Sequence, residues 1–539
     1  MTLFKETLNG KETNNISVGR KVNLSPHTSF SAEAIQGWLI DKLAEVLEIE
    51  PNQIDVGQDF EEYGLESAEA INLSGDLEEY LGCRLPPTLF WDYQNIEALA
   101  QYLASDNIHQ TLSSAKDLEF ATSADLSEAA DVNEIADISP ENYDFAEFPE
   151  YKKLKAQQEQ VASLGNGNPF FIPQETIIND RTTINGRELI NFASYNYIGM
   201  CGDPIVTKAS QEAASHYGTS ACASRLVSGE KPIHRELETE IANLIGVEDS
   251  IVMVGGHATN VTTIGHLLGK NDLVIYDSLS HNSITQGCLL SGASLAVFPH
   301  NDNHALERIL RDRRHRYQRV LIAIEGVYST DGDIADLPQI IKLKQQYKSL
   351  LMVDEAHSMG TIGKTGRGIS EYHGINPRDV DIWMGTLSKS FAGCGGYIAG
   401  SSALVEYLKY TAPGFVFSVG MSPPDTAASL AAVRTLKQKP ERVATLQARA
   451  KLFLDLAQEE GLDTGMSQDS PVIPIIVGDS LKSIQLSQNL FKRGINAPFM
   501  IYPSVPQNGA RLRFFITCNH TVEQIRLTVN ILSEELKRL

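Results

Sequence analysis

The sequence predicts a multidomain chain: a small α-helical bundle at the N-terminus, then an α/β domain with a mostly parallel central sheet. Three observations carry this expectation. At 539 residues the chain is too long for one ordinary domain. Residues 31 to about 105 place apolar side chains at helical spacing. From about residue 150 onward, short apolar runs of strand length alternate with helical stretches, the pattern of helices on both faces of a parallel sheet.

Residues 1–29 are polar and are expected to form a disordered tail. In "SAEAIQGWLIDKLAEVLEIE", Ile35, Leu39, Leu43 and Leu47 repeat at helical spacing behind Ser31, a natural N-cap. "ESAEAINLSGDLEEYLG" reads as a second amphipathic helix and "NIEALAQYLA" as a last short one, which bounds the bundle at 30–106. Residues 107–148 are rich in Ser, Ala, Asp and Glu, with Lys116 the only lysine or arginine. Such a segment buries too little to fold alone, and a coil of about 40 residues reaches about 35 Å, so a flexible acidic linker is expected. The α/β domain takes 149–539, with a large part at about 200–430 and a small C-terminal part at about 431–539. Its strands are read from "DLVIYD", "RVLIAIEG", "SLLMVDE", "DIWMGT", "PVIPIIV" and "RLRFFIT", and "ADLPQIIKLKQQY" is one of the helices between them.

Composition excludes several function classes. A formal net charge of −23 argues against a nucleic-acid partner. Six cysteines without paired spacing suit a reducing compartment and no zinc or other metal site. No signal peptide and no membrane span are read, so a cytoplasmic protein is expected.

Polar residues gather where the apolar runs end. Asp277 to His281 follow "LVIY", Glu325 to Ser329 follow "VLIAI", Asp354 and His357 follow "LLMV", and Thr386 to Lys389 follow "DIWMG". In open α/β sheets ligands bind beyond the carboxyl ends of the strands, so four such ends suggest one site. In "GTLSKSFAGCGGY", Lys389 stands alone among hydroxyls and glycines. A desolvated lysine loses its proton more readily and becomes a nucleophilic amine. Pyridoxal phosphate (PLP) needs a lysine for its Schiff base, a carboxylate for its pyridine nitrogen, and hydroxyls with backbone N–H groups for its phosphate. Lys389, Asp354, and Thr386 with Ser388 meet these needs.

"VDEAHSMGTIGKTGRG" and "GTLSKSFAGCGGY" resemble the α-oxoamine synthase family of PLP enzymes, of the fold-type I aminotransferase-like class. The likeness runs from about Asn191 to His520 through "NFASYNYIGM", "ASRLVSGEKPIHRELETEIA", "DSLSHNS", "EGVYSTDGDIADLP" and "RLRFFITCNHT". It implies that Lys389 carries the Schiff base, Asp354 holds the pyridine nitrogen, His357 lies near the ring oxygen and His281 stacks on the ring. Thr386, Ser388, Gly256, His257 and Ser329 would complete the cofactor site, and Arg513 with Asn196 would bind the amino acid, Arg513 through its carboxylate. Two stretches depart from the family: "GGHATN" has Gly255 and His257 where Ser and an aromatic residue are common, and "FSVGMSPP" differs around Ser418, a candidate for reaching a neighbouring subunit's phosphate. A homodimer follows from the resemblance alone.

"EEYGLESAEAINLSGDLEEYLGCRLPPTLFWDYQNIEALAQYLA" is similar to acyl carrier domains, with Gly64-Leu65-Glu66-Ser67-Ala68 in place of Gly-Leu-Asp-Ser-Leu. The similarity implies covalent 4'-phosphopantetheine on Ser67, at a helix start that tolerates the phosphodiester charge. Together the two resemblances imply decarboxylative condensation of an amino acid with a carrier-bound acyl thioester to an α-aminoketone, through a PLP-stabilised carbanion. An upstream acyl-loading enzyme or a polyketide or fatty-acid synthase is an expected partner. The alternatives are an acyl-CoA-dependent synthase with a regulatory carrier domain, a fold-type I aminotransferase, and a non-catalytic scaffold.

Overall fold

The computed structural model describes residues 30–47, 49–60, 63–65, 67–81, 83, 85, 89–104, 138–163, 169–502 and 504–539. The expected tail and the linker up to residue 137 lie outside the described residues. The end of the linker holds a turn of 3-10 helix at Pro140–Asn142.

The chain divides into two compact units, Met1–Phe60 with Tyr93–Leu118, and Glu61–Asp92 with Glu119–Leu539. Four N-terminal helices are α1 (Ala32–Leu47), α2 (Ser67–Leu81), α3 (Leu89–Asp92) and α4 (Ile96–Ala104). The smaller unit is held by α1 and α4. Ile35, Leu39 and Leu43 of α1 are buried, as are Ile96, Leu99, Ala100 and Leu103 of α4. Ser31 caps α1, its Oγ accepting from Ala34 N at 3.3 Å, as its position ahead of the apolar repeat predicts. Of the four helices in the span 30–106, α1 and α4 fall in the smaller unit, and α2 and α3 in the larger.

In the larger unit the main sheet has seven strands. They are β3 (Asp249–Met253), β4 (Leu273–Asp277), β5 (Ser294–Phe298), β6 (Val320–Glu325), β7 (Leu350–Asp354), β8 (Ile382–Thr386) and β9 (Gly396–Gly400). Their order is β3-β9-β8-β7-β6-β4-β5, parallel throughout except for β9, which is antiparallel to both neighbours. β4, β6 and β8 are buried at every residue, which explains their continuous apolar sequence. Gly385 of β8 sits opposite Tyr397 of β9, and a Cβ there would meet the tyrosine ring at 2.3 Å. Only glycine admits that ring.

Two three-stranded sheets build the small part. β1 (Arg181–Ile184) and β2 (Arg187–Asn191) join β11 (Ile495–Asn496); β10 (Val472–Gly478) and β12 (Phe499–Met500) flank β13 (Ala510–Phe515). Residues 181–191 thus belong with the C-terminal part, although they precede the large sheet in sequence. No helix among the described residues is long and apolar enough to cross a membrane.

A buried ionic cluster joins the two parts. His300 bridges Asp277 Oδ1 through Nδ1 and Asp333 Oδ2 through Nε2, both at 2.8 Å. In the same loop as Asp333, Asp331 takes an ion pair from Arg511 of β13, and the Gly332 carbonyl accepts from Ser470. Burial lowers the His300 pKa, but the hydrogen bonds to Asp277 and Asp333 outweigh it and carry the imidazolium up to about 10. The folded value lies above the unfolded one, so this stabilisation is complete below pH 6.5 and is lost as pH rises through about 10. Replacing His300 by Gln should therefore cost about 3 kcal/mol at neutral pH, because it leaves two buried carboxylates without their cation. Denaturant titrations of both proteins should show the gap narrowing between pH 7 and pH 10; a gap independent of pH would refute the assignment.

Candidate active site

The register of the parallel strands sets the site. β6 and β7 pair Glu325 with Asp354, β7 and β8 pair Asp354 with Met384, and β4 ends at Asp277 in the same direction. The four polar strand ends seen in the sequence therefore lie along one edge of the sheet.

Lys389 is half-buried just past β8. Its Nζ is 2.8 Å from His357 Nε2, and His357 Nδ1 is 2.7 Å from the Tyr197 hydroxyl. Tyr197 is 0% exposed and His357 4%, so the three groups form a chain closed to water at its inner end. Burial brings the Lys389 pKa down to about 8, with Asp354 and Glu325 resisting and Arg513 assisting. Burial also holds His357 well below 6.5, helped by Lys389 and Arg513. A neutral imidazole carries one N–H and an ammonium only donates. While Lys389 is protonated, His357 Nε2 must be the acceptor and Nδ1–H must donate to the Tyr197 oxygen.

Asp354, 4% exposed, is held from two sides. Its Oδ2 accepts from Asn260 Nδ2 at 2.8 Å and its Oδ1 from Ala356 N at 2.9 Å. Glu325 accepts from the His281 backbone N–H. Burial and the nearby Asp354 raise the Glu325 pKa to about 8. His281 caps the helix Asn282–Ser291, its Nδ1 2.7 Å from Ser283 Oγ; desolvation lowers its pKa against the pull of Asp354.

The residues fit pyridoxal phosphate. The helix Gly256–Leu267 starts at Gly255 with no side-chain cap, so its first N–H groups are open to an anion. A Cβ on Gly256 would stand 2.8 Å from Thr386 Oγ1, which keeps this wall narrow. Thr386 Oγ1 lies 2.8 Å from the exposed Ser388 hydroxyl. His257, at the same helix start, has its ring 6.4 Å from that of His281. Asn260 Oδ1, Ser280 Oγ and Arg513 Nε are buried without hydrogen-bond partners, as expected of walls built for a polar ligand.

Arg513 donates to the Ser329 carbonyl at 2.7 Å and lies 4.6 Å over the Phe515 ring. Ser329 thus meets the site through its backbone carbonyl. Asn196 is placed otherwise than expected: its amide donates to the Cys201 carbonyl at 3.1 Å and accepts from Cys201 N at 3.0 Å, closing a turn. Ser418 lies between the exposed Phe417 and Val419, its hydroxyl 3.4 Å from the Val419 carbonyl. Ser67 opens α2.

Three site residues, Tyr195, Tyr197 and Asn260, escaped the sequence reading. In "SYNY" a tight turn, with the Tyr197 N–H donating to the Tyr195 carbonyl at 2.8 Å, sets both tyrosine rings against His357 while Asn196 is engaged by Cys201. Lys389 Nζ lies 5.4 Å from the Tyr195 ring centroid. Asn260 is one helical turn beyond Gly256, on the same face, a spacing visible in the sequence; Glu325, read there as a polar strand end, ends its strand as Asp354 does.

Comparison with known proteins gives the family. The model of the aminotransferase class I and II family matches residues 187–532, and the phosphopantetheine attachment site model matches 37–103. The 8-amino-7-oxononanoate synthase of Thermoanaerobacter pseudethanolicus is 37% identical over 359 residues, 67% of this chain and 90% of that protein. The long chain base biosynthesis protein 2b of Oryza sativa is 35% identical over 65% of this chain and 73% of its own. The structure of Sphingomonas wittichii serine palmitoyltransferase superposes with a TM-score of 0.69 at 29% identity, covering 72% of this chain and 98% of that one. The chain belongs to the aminotransferase class I and II family, among its PLP-dependent α-oxoamine synthases, and carries a phosphopantetheine attachment domain ahead of the synthase.

Proposed function

We propose that this enzyme condenses an amino acid with an acyl thioester carried on Ser67, releasing carbon dioxide and an α-aminoketone. The observation that carries this reading is the Tyr197–His357–Lys389 chain beside Asp354, in a polypeptide that also matches a phosphopantetheine attachment domain.

PLP bound at the strand ends would supply an electron sink for the negative charge that develops at the amino-acid Cα. Asp354, fixed by Asn260, would hold the pyridine nitrogen, and the open N–H groups at Gly256 with Thr386 and Ser388 would hold the phosphate. Arg513 would take the amino-acid carboxylate, for which its planar fork is suited. Lys389 Nζ removes the Cα proton; an amine with a pKa near 8 is matched to that task at neutral pH. His357 accepts from Lys389 while Tyr197, both donor and acceptor, follows its change of tautomer. The Cα–C bond to the acyl carbon forms as the C–S bond breaks, and the thiol departs on its arm. The bond to the carboxylate then breaks, carbon dioxide leaves, and a proton replaces it at Cα. A homodimer in the cytoplasm, loaded by an upstream acyl-loading enzyme or a polyketide or fatty-acid synthase, completes the reading by analogy with the family.

Three outcomes test it. Borohydride treatment of the loaded protein should fix the cofactor on the peptide bearing Lys389, and Lys389→Ala should abolish that label and lower condensation at least about 10³-fold. Label on another lysine would end the proposal. Capture of PLP by the apoprotein needs the neutral amine, so its rate should climb with pH with a midpoint near pH 8. Because Asp354 raises the Lys389 pKa, Asp354→Asn should move that midpoint downward; an upward move would contradict the geometry. Finally, Ser67→Ala should block the mass gain of phosphopantetheinylation and abolish product from carrier-loaded donor. Undiminished turnover of acyl-CoA with wild-type efficiency in this variant would favour the acyl-CoA-dependent alternative.

A further inference from the structure

Helix α2 buries two faces. Ala70, Leu73, Ser74 and Leu77 are buried along one. Along the other, Ile71 is 2% exposed and packs in one apolar cluster with Leu295 and Val297 of β5, with Ala68 against the same cluster. Next to Ile71, Asn72 makes two hydrogen bonds to one residue of β5. Its Nδ2 donates to the Val297 carbonyl at 3.0 Å, and its Oδ1 accepts from Val297 N–H at 3.0 Å. β5 is an edge strand, with one row of peptide groups left without a strand neighbour. A carboxamide has the same donor–acceptor pair as a peptide group, so Asn72 satisfies that edge as a further strand would. One turn on, a Cβ at Gly75 would lie 3.8 Å from the Leu295 carbonyl, and Asp76 Oδ1 accepts from Arg313 Nη2 at 2.9 Å.

These contacts fix a direction. Asn72 opposite Val297 and Gly75 opposite Leu295 mean that α2 runs antiparallel to β5. Ser67 lies about 7 Å beyond Asn72 along the helix, toward the carboxyl end of the sheet. At that end lie Asp277, Glu325, Asp354 and Thr386. From β5 to β7 is three strand spacings, about 14 Å.

We infer that β5 is the dock from which the acyl arm is presented to the site, with Asn72 and Asp76 as its recognition residues. The inference rests on the reading of Ser67 as the arm-bearing residue. The test uses the full chain with a decanoyl-phosphopantetheine arm installed on Ser67, mixed with whichever of glycine, L-alanine and L-serine turns over. Loss of the acyl mass in a single turnover is followed by intact mass spectrometry. Asn72→Ala should slow it about tenfold, the loss expected for two hydrogen bonds. Asp76→Arg and Arg313→Asp should each slow it about fivefold, and the double exchange should restore it. Hydrogen exchange at the Val297 amide should quicken in Asn72→Ala. If exchange is unchanged, the contact does not form; if it quickens while single-turnover rates stay at or above wild type, the contact does not serve delivery. Either result overturns the dock. If instead the wild type turns over free decanoyl-CoA but never consumes the arm-bound group, the reading of Ser67 as donor fails.

Discussion

The amine of Lys389 is the constraint around which the site is arranged. A lysine lined by aromatic rings loses hydration, and its charge must be met by the protein or given up. Here the two tendencies are balanced. Asp354 and Glu325 favour the charged form, while burial and Arg513 disfavour it, and the result is an amine near 8 rather than 10.5. His357 could not accept from Lys389 if it were itself protonated, and burial keeps it neutral. The same desolvation therefore tunes the base and keeps its partner able to accept its hydrogen bond.

That balance requires groups from distant parts of the sequence to hold fixed positions, and the sheet provides them. Each parallel strand ends where its neighbour ends, so a residue one or two positions past a strand is placed by backbone register. Tyr197, Arg513 and Phe515 come from outside the large sheet. Their positions depend on how the small part sits against it, which is where the His300 cluster and the Arg511–Asp331 pair act. The five charged groups gathered at that junction resist sliding, because any shift would leave a carboxylate without its cation.

The sequence was most legible where geometry repeats. Fully apolar runs announced β4, β6, β7 and β8, and residues just past them announced Asp354, Thr386 and Lys389. Asn196 is held in a turn by Cys201, while Tyr195 and Tyr197 on either side of it face His357, an arrangement that the sequence alone does not show. Residues 181–191 could not be assigned to the small part, since β2 pairs with β11 some 300 positions later and neither strand carries a distinguishing pattern. The contact of α2 with β5 was hidden for a related reason. Asn72, Gly75 and Asp76 read as the solvent face of an amphipathic helix, and only the unpaired edge of β5 gives them partners.

An exposed edge strand is a hazard, since any extended peptide can add to it. Covering β5 with a helix removes that hazard, and an Asn side chain does so without a further strand. A covering helix that also carries the donor's attachment point links the protection of the edge to the supply of substrate. A tethered carrier already holds its arm at an effective concentration of about a millimolar, whatever its orientation. Orientation is what a tether cannot supply. A helix held antiparallel to β5 supplies it, because the direction of the strand that ends near the site also sets the end of the helix from which the arm departs.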